Sequence, residues 1–241
     1  MDIKVFKETE KQKWNDFIDS TPYSTILQFW EWGELKKSEG WKPYRLVLLD
    51  NNDIKIATQI LLKPASLLGN YLYVPYGPVF SSVEDLEKYL PEFLTGLQTF
   101  AKEKNCFVIE FDPLIGKLVE ETDKPTPKVL LPYLDKNIKE VLLNNGFKLS
   151  KRNFQPKHKL FYDLTKTEDE LLMLMKKNTR YNVRLADKKG VKINSYEMGN
   201  EKTKEKIEDY YNLLLETKER ARGYPVRPKS TFTTLLSIFK N

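Results

Sequence analysis

The sequence predicts a mixed α/β (α+β) fold in which a sheet is covered by helices. Three observations predict it: short apolar runs bounded by turn residues, long stretches with apolar residues at helical spacing, and the order in which the two alternate. Residues 8–19 (ETEKQKWNDFID) put Trp14, Phe17 and Ile18 on one helical face, and residues 27–39 (LQFWEWGELKKSE) predict a second helix that stops before Gly40. YRLVLLD (44–50) and IKIATQILLK (54–63) read as a hairpin, because Asp50-Asn51-Asn52-Asp53 between them is a turn signal. YLYVPYGPVF, from Tyr71, supplies a third strand that Pro75 and Pro78 interrupt, since proline has no N–H to give a ladder. From Ser82 to Lys104 the spacing of Leu86, Leu90, Phe93, Leu97 and Phe100 is helical, and CFVIEF (106–111) follows as a buried strand closed by Asp112-Pro113.

The stretch from Lys117 to Pro132, with Pro125, Pro127 and Pro132, has the composition of a crossover loop. A helix over Asn137–Asn144 ends before Gly146, and KHKLFYDL (157–164) begins a new strand. Thr167 and Glu170 form a capping box that is expected to open a basic helix. VKINSYE (191–197) reads as a strand, residues 200–221 as a helix, and STFTTLLSIFKN (230–241) as helix-like. The expected division is 1–150 and 151–241. Only two strands fall in the second part, so it is expected to be the N-terminal portion of an incomplete domain.

Bulk composition narrows the function classes. A chain of 241 residues can bury one large core or two smaller ones. Lys plus Arg outnumber Asp plus Glu by 40 to 34, and between Lys176 and Lys192 seven bases meet one acid, Asp187. An excess concentrated in one segment favours a local anion site over general coating of nucleic acid. Lys177, Arg180, Arg184 and Lys188 fall on one helical stripe, with Leu171, Met175, Thr179, Val183 and Ala186 opposite as the face to be buried. Two readings of the stripe stand at this point, a solvated face and a phosphate-contacting one. The single cysteine, Cys106, excludes an intrachain disulfide, fits a reducing cytoplasm and reads as a core residue. The single histidine, His158, reads as a strand residue, and with one His and one Cys no usual zinc set can form. An apolar leader and an eighteen-residue apolar window are both missing, which predicts a soluble, non-secreted protein.

Several of these segments together resemble the Fem family of aminoacyltransferases. The residues that carry the likeness are Gln28-Phe29-Trp30-Glu31-Trp32-Gly33-Glu34-Leu35-Lys36 with Gly40-Trp41, then Pro75-Tyr76-Gly77-Pro78-Val79, Glu110-Phe111-Asp112-Pro113, Asn178-Thr179-Arg180-Tyr181-Asn182-Val183-Arg184, and Arg227-Pro228. The resemblance implies tandem acetyltransferase-like (GNAT) domains with mixed sheets flanked by helices. It also implies transfer of an amino acid from aminoacyl-tRNA to an amine on the stem peptide of a peptidoglycan precursor, either UDP-MurNAc-peptide or lipid II. No metal or organic cofactor is implied, and a lipid-linked acceptor would bring the protein close to a membrane. The rival readings are an acyl-CoA-dependent GNAT N-acyltransferase and a tRNA- or RNA-binding module without enzymatic activity.

Residue by residue, the resemblance places Lys36 and Arg227 where the family contacts the acceptor's diphosphate. Both substrates are polyanions, so cations matter more than an elaborate nucleophile. Asp112 holds a family-like position at a strand end and could orient or deprotonate the amine, or simply serve the turn before Pro113. Lys177, Arg180, Arg184 and Lys188 are the candidate tRNA contacts. Tyr76 stands where many relatives carry a basic residue, and Thr231 with Phe232 where an aromatic residue often follows the Arg-Pro pair. Trp30, Trp32 and Trp41 could stack on a base or pack in the core.

Overall fold

In a computed structural model, residues 1–21, 24–65, 69–113, 137–152, 154–156, 162, 164–196, 201–223 and 225–239 are described. The described elements run β1 (Asp2–Val5), α1 (Lys11–Ser20), α2 (Trp30–Ser38), β2 (Lys42–Asp50), β3 (Asp53–Pro64), β4 (Asn70–Pro75), β5 (Val79–Phe80), α3 (Val83–Glu103) and β6 (Cys106–Asp112). Helices α4 (Asn137–Asn144), α5 (Glu168–Leu174), α6 (Lys177–Lys188), α7 (Glu201–Arg220) and α8 (Lys229–Ile238) follow.

The described strands form a six-stranded sheet in the order β1-β2-β3-β4-β6, with β5 paired to β3. Pairs from β1 to β4 are antiparallel, and β4 pairs with β6 in parallel after the α3 crossover, so the sheet is mixed. The hairpin turns at Asn51 (φ 49°) and Asn52 (φ 69°), two left-handed residues whose twist matches the paired strands. Strand alternation sorts the side chains. Leu46, Leu48, Ile56, Leu72 and Val74 pack with the α3 residues Leu86, Leu90, Phe93 and Leu97 on one face. Val47, Leu49 and Ala57 pack with Trp14, Ile18 and Trp30 of α1 and α2 on the other.

Helix α3 starts at Ser82, whose Oγ accepts the Asp85 N–H at 3.1 Å, and its periodic apolar face is the one the sequence marks. Several expectations change. β1 is a four-residue strand beside β2 that lacks a distinct apolar pattern in sequence. β6 is only half-buried, with Phe107 50% exposed, because it lies at the edge of the described sheet rather than inside it. Cys106, expected in the core, is partly exposed and packs against the α3 cluster, and burial pushes its thiol pKa up.

The capping box at Thr167 and Glu170 forms, but it opens α5. Met175 and Lys176 are extended, so the basic helix is a separate element, α6, and the long buried face from Leu171 to Ala186 does not form. No residue of α6 is buried, and Val183 is 45% exposed. The strand expected over 191–197 is not formed over the described residues 191–196, which pair with no described strand. Val191 N–H instead closes on the Ala186 carbonyl and finishes α6. The expected loop over 117–132 lies wholly or largely outside the described residues, as does the expected strand over 157–164, which includes His158.

Candidate functional site

The site begins with the way α2 is fixed to the sheet. Gln28 accepts the Gln59 N–H at 2.7 Å through its side-chain oxygen and donates its amide to the Pro75 carbonyl. Gln59 Nε2 in turn donates to the carbonyls of Leu27 at 2.7 Å and Phe29 at 3.2 Å. Arg45 is buried beneath α2, with its guanidinium 3.9 Å from the Trp30 ring centroid and Nη2 donating to Trp30 O at 2.8 Å and Glu34 Oε1 at 3.0 Å. Burial lowers the Arg45 pKa, and the neighbouring Glu34 opposes that shift.

Close approach requires two glycines here. A Cβ on Gly33 would lie 2.3 Å from Gln59 Oε1 and 2.4 Å from Arg45 Nη2. On Gly77 it would lie 2.4 Å from Thr58 Oγ1 and 2.9 Å from Gln28 Nε2. The two motifs around Trp30 and Tyr76 are therefore one buried hydrogen-bonded joint, which rigidly presents the last turn of α2.

That last turn carries Lys36. Its Nζ donates to Glu39 Oε2 at 2.7 Å and lies 5.2 Å from the Trp32 ring centroid. Arg227 Nη1 reaches the other oxygen of the same carboxylate, Glu39 Oε1, at 3.2 Å, and the Thr231 hydroxyl lies 3.5 Å from it. The structure thus brings Lys36 and Arg227, far apart in sequence, onto one carboxylate between α2 and the start of α8. Thr231 is buried against that junction, while Phe232 packs edge-to-face on Tyr210 at 5.4 Å. Trp30 is a core residue, and Trp32 is partly exposed with its indole N–H unpartnered among the described residues.

A second cluster lies on the same sheet face. Tyr71 and Tyr73 alternate with the core residues Leu72 and Val74, so their rings point to the α1/α2 side. Tyr73 OH donates to Asp112 Oδ2 at 2.9 Å and accepts from Gln155 Nε2 at 3.0 Å. Tyr71 OH donates to Glu110 Oε2 at 2.7 Å, and Ser150 Oγ donates to Glu110 Oε1 at 3.1 Å. Burial first, and then the adjacent carboxylate, holds both phenols far above the usual tyrosine pKa, so they remain neutral donors. Burial and Asp112 also raise Tyr76, whose backbone is left-handed at φ 50°. Tyr76, Glu110, Asp112, Arg152 and Gln155 line a cleft of about 760 Å³. Trp41, two residues after Glu39, has its ring centroid 6.3 Å from that of Tyr71 and so joins the two clusters.

The basic stripe lies on α6 as expected, with Lys177, Arg184 and Lys188 exposed. Arg180 is partly committed. Its Nη1 donates to the carbonyls of Met173 at 3.1 Å and Met175 at 2.6 Å, capping α5. Among the described residues no group of three or more His, Cys, Asp or Glu side chains is placed to hold a metal ion. Sequence reasoning missed Glu39 and gave Glu110, named only as part of a motif, no role of its own. The available signals were the i,i+3 spacing of Glu39 from Lys36 and the i,i+2 spacing of Glu110 from Asp112, which puts both carboxylates on one strand face.

Comparison with known proteins gives a family. The sequence model of the FemAB family matches residues 9–241. A lipid II:glycine glycyltransferase of Staphylococcus epidermidis is 31% identical over 228 residues, covering 93% of this chain and 50% of its own length. The protein of the same description from Staphylococcus aureus is 29% identical over 230 residues, covering 93% and 49%. The chain spans about half the length of these relatives. A crystal structure of FemX superposes with a TM-score of 0.75 at 24% identity, covering 99% of this chain and 55% of that one, which establishes the likeness of fold.

Proposed function

We propose, from the premise that this chain belongs to the FemAB family, that it takes part in aminoacyl transfer to the stem peptide of a peptidoglycan precursor. Residues 1–150 and 151–241 are read as a first acetyltransferase-like domain and part of a second. The observation that carries the reading is the meeting of Lys36 and Arg227 at Glu39. Two cations that meet on one carboxylate suit a diphosphate, because each can give a charge-assisted hydrogen bond to a different phosphate oxygen. The lipid II named in the relatives' descriptions is a diphosphate, as is a UDP-linked precursor.

Aminoacyl-tRNA is the donor in this reading. The acceptor amine attacks the ester carbonyl carbon, the new C–N bond forms, the C–O bond to the tRNA ribose breaks, and the proton lost by nitrogen replaces the ester on the ribose oxygen. The ester is already activated, so the protein's task is to bring a neutral amine to it in good geometry. Asp112, oriented by the Tyr73 hydroxyl, is the carboxylate assigned to position that amine or take its proton. The exposed bases of α6 are assigned to the tRNA backbone. Such chemistry is cytoplasmic, beside the membrane when the acceptor is lipid-linked, and no helix among the described residues is long and apolar enough to cross it.

Calorimetric titration with UDP-MurNAc-peptide, lipid II in detergent and coenzyme A tests the substrate class, and a transfer assay with charged tRNA pools tests the donor. Binding of the precursor without binding of coenzyme A is the expected result. Coenzyme A binding without precursor binding would replace this reading with the acyl-CoA one.

A further inference from the structure

We propose that Glu39 is a built-in competitor for the anion at the Lys36–Arg227 site, occupying both cations until a ligand phosphate displaces it. The proposal rests on the acceptor-diphosphate reading above. Its carboxylate is divided between the two cations, Oε2 to Lys36 at 2.7 Å and Oε1 to Arg227 at 3.2 Å. An incoming phosphate oxygen therefore competes with one carboxylate oxygen at each cation.

Local structure makes this occupancy reversible. Glu39 is the C-cap of α2, where the carbonyl end of the helix repels a negative charge. Among the described residues, the two cations and the Thr231 hydroxyl hold the carboxylate there. The Lys36 side chain is 12% exposed and that of Arg227 55% exposed, so an anion reaches Arg227 first and Lys36 once the carboxylate leaves.

The consequence is a common penalty on every anion. When the binding-competent form is a fraction of the population, the affinity of every ligand falls by that same fraction. Small free anions with no other contacts are then held about tenfold more weakly than bare cations would hold them. A precursor that also engages the protein through its peptide still binds. Thr231 shares the Glu39 oxygen, so displacement also releases one tie between α2 and α8.

The test is calorimetric titration of the 241-residue chain with inorganic phosphate and with inorganic pyrophosphate, at fixed pH and ionic strength, for wild type, Glu39→Gln, Glu39→Ala and Lys36→Met. Both Glu39 variants are expected to tighten both ligands by a common factor of about tenfold, the worth of one charge-assisted contact. Lys36→Met is expected to weaken both. Unchanged or weaker binding in the two Glu39 variants, with Lys36→Met still weakened, would overturn the competitor and leave the acceptor site standing. A gain that grows with ligand charge would also overturn it, because simple repulsion behaves in that way. Lys36→Met binding like wild type would remove the acceptor site and this proposal together.

Discussion

The sheet with α1, α2 and α3 buries Trp14, Ile18, Ile56, Leu72 and Phe93 completely, whereas α5 and α6 bury no residue and α7 and α8 add only Thr203, Ile207 and Thr231 among the described residues. The first region is held by apolar contact on both faces of one sheet. The second has, beside the packing of Phe232 on Tyr210, mainly polar ties: Arg180 on the carbonyls ending α5, Lys229 on Glu208, and Arg227 on Glu39. Tyr181, Leu213 and Ile193 stand exposed there. The candidate anion site spans this border. Its Lys36 comes from the side with the apolar core and its Arg227 from the side with little buried apolar surface.

The contrast can be broken by mutation. Phe93→Ala removes a fully buried ring and is expected to cost about 3–5 kcal/mol in denaturant unfolding. A loss below about 1 kcal/mol would mean that the first region does not depend on that core. Gly33→Ala forces a methyl group onto Gln59 and Arg45, with an expected cost of about 1–3 kcal/mol. Wild-type stability in that variant would show that α2 is not rigidly seated.

Replacing Arg180 and Arg184 by Glu tests the exposed helix by function, with thermal stability read in parallel because Arg180 also caps α5. The slope of log affinity for tRNA against log salt concentration should become shallower by about 0.9 for every phosphate that these arginines neutralise. An unchanged slope returns α6 to a solvated face. At the small end, Leu213→Ala on the exposed side of α7 is expected to stay within about 0.5 kcal/mol of wild type. A cost above that would reveal burial that the second region's exposure does not show.

Alkaline pH tests the half-buried tyrosine Tyr71. The folded pKa of Tyr71 is raised by burial and by Glu110, so the protein loses stability as pH rises past the unfolded tyrosine value of about 10. Tyr71→Phe should flatten that alkaline decline. An equally steep decline in the variant would assign it to other groups.

Much of the first region was legible because local pattern and tertiary role agree there. The periodic face of α3, the Asn51-Asn52 hairpin and the bounds of α4 follow from spacing and turn chemistry alone. β1 escaped because four residues at the side of a sheet need no marked alternation. The break at Met175 and the absence of a strand over 191–196 escaped because both depend on packing partners rather than on propensity. Lys36, Arg227 and Asp112 were singled out through family resemblance, not through any local physical signal. Glu39 was passed over because a carboxylate three residues from a lysine looks like an ordinary helix pair until its contact with Arg227, 188 residues away, is seen.

The central claim is that Lys36 and Arg227 hold one diphosphate together. A double-mutant cycle with Lys36→Met and Arg227→Met, read as binding of the UDP-linked or lipid-linked precursor, tests it most directly. Each single change is expected to cost about 1.5–3 kcal/mol, and the pair less than the sum, because both side chains grip the same group. Additive losses, each below about 0.5 kcal/mol, the range of ordinary surface substitutions, would contradict the shared site.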